Sequence, residues 1–224
     1  MERRGFLVAA SACALATAGP ALGDGLPLPP GNRLAFKVFH NGSPIGQHTL
    51  NFTTQGEALT IEIAIDAQGH IAGIIPFTYG ARITERWLGG VFQSLDSQVN
   101  DDGNPLEVHA HKTAAGYIVT AKNQNHPEKV LPEYTAPPNT LPLTYWNKSV
   151  LSGTVLNVQT GHTYPAIVNS PGWENVPDAN GGTITARRFD VTGKLHLTLW
   201  YDVNNQWAAL DLPLYGQITY EKIV

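Results

Sequence analysis

Residues 60–66 read Thr60-Ile61-Glu62-Ile63-Ala64-Ile65-Asp66, and this run decides the fold class. A two-residue repeat places Ile61, Ile63 and Ile65 on one face and mainly polar residues on the other, as in a half-buried β-strand. Leu106-Glu107-Val108-His109-Ala110-His111 and Leu195-His196-Leu197-Thr198-Leu199-Trp200-Tyr201-Asp202 alternate in the same way. Turn residues separate such runs: Asn41-Gly42, Gln55-Gly56, Ala115-Gly116 and Thr192-Gly193. Asp101-Asp102-Gly103-Asn104 reads as a hairpin turn between runs near 91–100 and 105–113. Asn204-Asn205 plays that part between 195–203 and 206–212, because Asn tolerates a positive φ.

Further strands are predicted near 33–40, 45–54, 58–68, 77–88, 116–123, 154–158, 183–191 and 214–222. No stretch longer than two turns carries a 3.6-residue apolar period, and only a short helix is expected, near Tyr145-Trp146-Asn147. The expected fold is all-β: a curved antiparallel sheet of about ten to twelve strands, forming a half-barrel or open barrel because a wide twisted sheet curls. From Asn125 to Pro142 come Pro127, Pro132, Pro137, Pro138 and Pro142, so this segment is expected to cross the sheet rather than lie within it. Asn169 to Gly182, with Pro171, Gly172 and Pro177, reads as a second irregular segment. Segments this long are lids and binding elements, or else connections around a sheet edge. No internal repeat is evident, and residues 24–224 read as one β domain.

Residues 1–23 have the parts of a cleaved export signal: Arg3-Arg4, an apolar stretch from Phe6 to Ala18, and small residues at Ala21 and Gly23. Arg3-Arg4, one spacer and Phe6-Leu7 resemble the core of the twin-arginine export motif; the alternative is an ordinary secretory signal that holds two arginines. The expected location is the bacterial periplasm or the exterior, with the twin-arginine machinery as an export partner. Cleavage there removes Met1 and Cys13, the only methionine and the only cysteine. No disulfide or thiolate then remains, yet a chain of this size can bury about 70% of its unfolded surface without one. Removing Glu2, Arg3 and Arg4 from 14 basic and 18 acidic side chains leaves twelve and seventeen. With no basic cluster longer than Arg187-Arg188, nucleic-acid binding is not expected. No later run reaches the roughly eighteen apolar residues of a membrane-spanning helix.

FKVFHNGSPIGQHTL, ITERWLGGVFQSLDSQVNDDGNPLEV, LTYWNKSVL and LWYDVNNQWAAL carry a wider resemblance, over residues 34–221. They resemble a family of exported bacterial proteins known as a domain of unknown function. Related exported proteins are similar to the lipoprotein-carrier half-barrel, whose concave side takes up acyl chains. The resemblance implies a fold and a concavity and supplies no catalytic residue.

Three constellations could carry chemistry. Glu107, His109 and His111 share a strand face and could present ligands to a divalent ion, but that face lies opposite the apolar one and reads as solvated. Neither a metal nor another cofactor is expected. Glu85 is the one carboxylate in the row Tyr79-Ala81-Ile83-Glu85-Trp87. Burial beside an indole would make it a general acid near neutral pH; the alternative is a structural ion pair, with Arg187 as the candidate partner. Trp87, Trp146 and Trp200, with Tyr79, are candidates to line a pocket with Arg187, core packing being the alternative. The expected function is that of an exported binding or carrier protein, holding a small hydrophobic or amphipathic molecule or lipid in a Trp-lined concavity. The alternatives are a small cofactor-free enzyme (isomerase, lyase or cyclase) using Glu85 as acid and base, and a structural envelope protein without a ligand.

Overall fold

The computed structural model describes residues 26–71, 75–214 and 216–224; the export-signal reading of residues 1–23 lies outside them. The first half of the chain is a meander: β1 (Arg33–His40), β2 (Ser43–Gln55), β3 (Ala58–Ile71), β4 (Ile75–Leu88), β5 (Val91–Asp101), β6 (Asn104–Lys112), β7 (Tyr117–Asn123) and β8 (Tyr134–Ala136). Three short strands follow, β9 (Thr140–Pro142), β10 (Thr154–Leu156) and β11 (Thr163–Pro165). A second meander comprises β12 (Ile167–Pro177), β13 (Thr183–Thr192), β14 (Leu197–Asp202), β15 (Trp207–Pro213) and β16 (Gln217–Lys222).

The two meanders join side by side. β16 pairs antiparallel with β1, giving a sheet of thirteen strands in the order β12-β13-β14-β15-β16-β1-β2-β3-β4-β5-β6-β7-β8. This exceeds the ten to twelve strands expected, and the sheet is not closed: β8 and β12 are its two edges. β9, β10 and β11 form a separate small sheet.

Alternation works as the sequence dictates. Ile61, Ile63 and Ile65 are buried, as are Leu106, Val108 and Ala110 on β6 and Leu197, Leu199 and Tyr201 on β14. The turns also take the expected form. Asp102 and Gly103 both have positive φ (52° and 83°), the conformation a two-residue hairpin loop needs, and Asn205 follows at 57°.

Two irregular segments contain more structure than their prolines suggested. Asn169–Gly182 was expected to be a loop, but most of it belongs to β12. Pro171 sits where the register with β13 shifts, between Asn169 and Gly172, and Pro177 ends the strand. An edge strand leaves one side unpaired, so proline costs it no ladder bond. The 125–142 segment likewise contributes the edge strand β8 before leaving the sheet. The expected short helix is a 3-10 turn displaced to Lys148–Ser152.

Residues 137–166, which carry β9–β11, connect one edge of the main sheet to the other. A connection between opposite edges must pass over a face. This strap lies on the apolar face, where its Trp146, Val150, Val155 and Leu156 join one core with Ile61, Leu95 and Val108.

Candidate functional site: two buried polar centres under the strap

The strap is anchored through the tripeptide Tyr145-Trp146-Asn147. The Trp146 N–H donates to the Thr144 carbonyl at 3.0 Å, closing a three-residue turn with Tyr145 at φ 70°. Turns of this kind are rare and strained for a residue with a Cβ. Surrounding contacts hold it: the Tyr201 hydroxyl donates to the Tyr145 carbonyl at 2.7 Å, and Asn147 Oδ1 accepts from the Ser149 N–H at 3.0 Å. The turn sends its two rings to different places. Trp146 packs edge-on against Phe52 and Trp87, both at 5.4 Å, whereas Tyr145 packs on Trp207 at 5.2 Å.

Trp146 closes the first polar centre. Glu85 lies mid-sheet between Ile61 of β3 and Leu95 of β5, which explains its complete burial. Its Oε2 accepts from the Trp87 indole N–H at 2.9 Å and from the Trp146 indole N–H at 3.1 Å. Oε1 has no partner at hydrogen-bond distance, although the Thr144 side chain lies close enough to favour the charged form. Burial pushes the pKa up; the nearby Thr144 side chain and the two indole donors oppose it. The result is a carboxyl group fastening strap to sheet through two indoles.

The ion pair with Arg187 is not made. Arg187 lies on β13, seven strands from β4, where its Nε donates to Ser170 Oγ at 2.9 Å and its guanidinium sits 5.7 Å from the Phe189 ring. Trp200 is also elsewhere. It faces away from Leu199 and Tyr201, donates to Glu174 Oε1 at 2.6 Å and lies under Arg188. Tyr79 is held from the strap, its hydroxyl accepting from Gln159 Nε2 at 3.0 Å. The structure thus brings Glu85, Trp87 and Trp146 together and leaves Tyr79, Arg187 and Trp200 apart from them. On β6, His109 Nδ1 lies 3.0 Å from Asp96, and Glu107 takes the Lys122 ammonium at 2.8 Å. His111 is exposed beside them, and no group of three or more His, Cys, Asp and Glu side chains arranged to hold a metal occurs among the described residues.

Sequence reasoning missed the second polar centre. His48 is 1% exposed, boxed by Trp207 at 5.3 Å, Tyr220 at 5.5 Å and Phe36 at 6.4 Å. Neither ring nitrogen has a hydrogen-bond partner. Burial alone lowers its pKa to about 3, so the imidazole is neutral at physiological pH. Burial also pushes the neighbouring phenols up, Tyr145 to about 12 and Tyr220 well above its ordinary value. The signal was available: the two-residue repeat of β2 puts His48 on the same face as Leu50 and Phe52.

Two clefts flank the Tyr145-Trp146-Asn147 anchor. The first, of about 430 Å³, is floored by Trp87, Phe92 and Tyr117 and edged by Val91 and Leu141, with Asn139 on the strap side. The second, of about 590 Å³, lies between residues 26–30, the Lys148 turn and the β14–β15 hairpin, with Asp202, Gln206 and Lys222 in its wall. Glu85 reaches neither.

The family model of DUF6134, a domain of unknown function, matches residues 36–222, and the chain belongs to that family. No curated protein and no solved structure matches it.

Proposed function

We propose that this DUF6134 protein is an exported binding or carrier protein, and that the cleft over Trp87 holds a small hydrophobic or amphipathic molecule. The carrying observation is that cleft's make-up. Three buried aromatic side chains from β4, β5 and β7 back its floor, and the strap lines it with Pro138 and Leu141 beside the polar Asn139, Asn147, Ser149 and Ser152. Its volume falls within the roughly 300–1,000 Å³ of small-molecule pockets. The β4–β5 turn beside it leaves Leu88 and Val91 51% and 45% exposed, an apolar lip over which such a ligand would enter. Thirteen twisted strands would curl toward the half-barrel expected from the sequence, with the strap filling most of the concavity. Export rests on the signal-like arrangement of residues 1–23.

Titration with dodecanol, followed by intrinsic tryptophan fluorescence and calorimetry, tests this reading. Saturable binding is expected, weakened about tenfold or more by Val91→Asp, which would place a carboxylate against the bound chain. Absence of saturable binding by dodecanol and by a panel of flat aromatic probes defeats it. A second reading, acid–base catalysis by Glu85 in an isomerase, lyase or cyclase, has the raised pKa of that group in its favour. It requires Trp146 to withdraw before any substrate can touch the carboxyl.

A further inference from the structure

The two clefts adjoin, with Leu26, Asn147 and Ser149 in the walls of both. Their chemistry differs. The Trp87 cleft has an aromatic floor, whereas the walls of the other carry two ammonium groups, Lys148 and Lys222. Lys148 is engaged, donating to Asn205 Oδ1 with its ammonium 5.8 Å from the Phe189 ring. Lys222 is not: among the described residues its ammonium makes no hydrogen bond, and Asp202 is the charge acting on it. Burial lowers its pKa while Asp202 opposes that shift.

Asp202 is itself largely committed. Its Oδ1 accepts the backbone N–H groups of Asn204 at 2.8 Å and Gln206 at 2.9 Å, which close the β14–β15 turn. Gln206 in turn pins the N-terminal wall, its Nε2 donating to the carbonyls of Pro27 at 2.9 Å and Leu28 at 3.2 Å. The cleft is therefore framed by hydrogen bonds that do not involve Lys222. A partly desolvated ammonium without a hydrogen-bond acceptor is a ready site for an oxyanion.

We propose that the two adjoining clefts together take an anionic amphiphile that passes between them at the shared wall, its alkyl chain over Trp87 and its carboxylate or phosphate head group on Lys222. This rests on the carrier reading and adds the class of ligand. Lys148, in the wall of the same cleft, adds positive potential, and the strap residues Asn147 and Ser149 lie between the two clefts, where chain and head group would join.

The test compares dodecanoate, dodecyl phosphate, dodecanol and dodecyltrimethylammonium by calorimetry at one ionic strength. At least one anion should bind about tenfold or more tightly than dodecanol, the size expected for a charge-assisted hydrogen bond in a partly buried site, and the cation no more tightly. Which anion gains more identifies the head group. In Lys222→Gln the anion-to-dodecanol affinity ratio should fall toward one, and Lys222→Arg should restore it. Thermal melts of both variants report whether the fold is kept. Equal affinities for dodecanol and both anions overturn the head-group site and leave the carrier reading standing, as does a ratio unaffected in a folded Lys222→Gln. Failure of every alkyl probe, dodecanol included, overturns both.

Discussion

Glu85 and His48 are both buried polar side chains beneath the same strap, yet they are handled in opposite ways. Glu85 is tied across the strap boundary by two indole donors. His48 is walled in by rings that offer its nitrogens nothing. One centre therefore joins two parts of the chain, and the other only occupies space within one. Their response to protons differs too. For His48 the folded pKa of about 3 lies below the ordinary 6.5, so stability is present above pH 6.5 and drains away as the pH falls toward 3. For Glu85 the folded pKa is raised above 4.5, so its contribution is present below pH 4.5 and is lost as the pH rises through the folded value. The lesson is that burial alone sets a pH dependence, with its sign fixed by which form carries the charge.

Three variants break or sharpen this contrast. Trp146→Ala should have the largest effect, about 3–5 kcal/mol of unfolding free energy in urea at pH 7, because it empties a core position and takes one donor from Glu85. A loss below about 1 kcal/mol would mean that the strap is held elsewhere. His48→Phe comes next. Between pH 7 and pH 5 the wild type should lose about 2 kcal/mol through protonation of the unfolded histidine, and the variant should be spared that loss. Parallel pH profiles for the two proteins would show that the imidazole is not a dry, neutral group. Glu85→Gln should be smallest at pH 4, within about 1 kcal/mol of wild type, since an amide oxygen can still accept from both indoles. As the pH rises the variant should gain on the wild type. A variant that instead falls behind above pH 5 would mean that the carboxylate is well solvated or paired.

How much of this was legible in the sequence follows from the range of each interaction. The row Tyr79-Ala81-Ile83-Glu85-Trp87 is local, and alternation alone placed Glu85 inward. The same rule places Trp200 opposite Leu199 and Tyr201, where the structure has it, and so away from the face on which its candidacy for a pocket depends. Arg187 was misassigned because strand neighbours depend on the β1–β16 junction, which no local pattern announces. β8, β9 and β11 are three residues each, too short to show a repeat. β12 was hidden by prolines that an edge strand tolerates. Trp146 reaches Glu85 only because the strap crosses the sheet, a contact 61 positions apart in sequence.

The pairing of β1 with β16 also has a consequence in time. A chain made from its N-terminus can build the meander from β1 to β8 by successive hairpins, each strand finding the one just before it. The other side of β1 has no partner until residues 217–222 have been synthesised, because it pairs with β16, the last of the described strands. Until then a row of backbone N–H and C=O groups in the middle of the future sheet stays bare, open to mispairing with any extended segment nearby. The Asn41 and Gln217 backbones meet at this seam, with the Asn41 N–H donating to the Gln217 carbonyl at 2.8 Å. Closure of this seam thus waits for residues 217–222, and a product that stops before them cannot shield its own central strand.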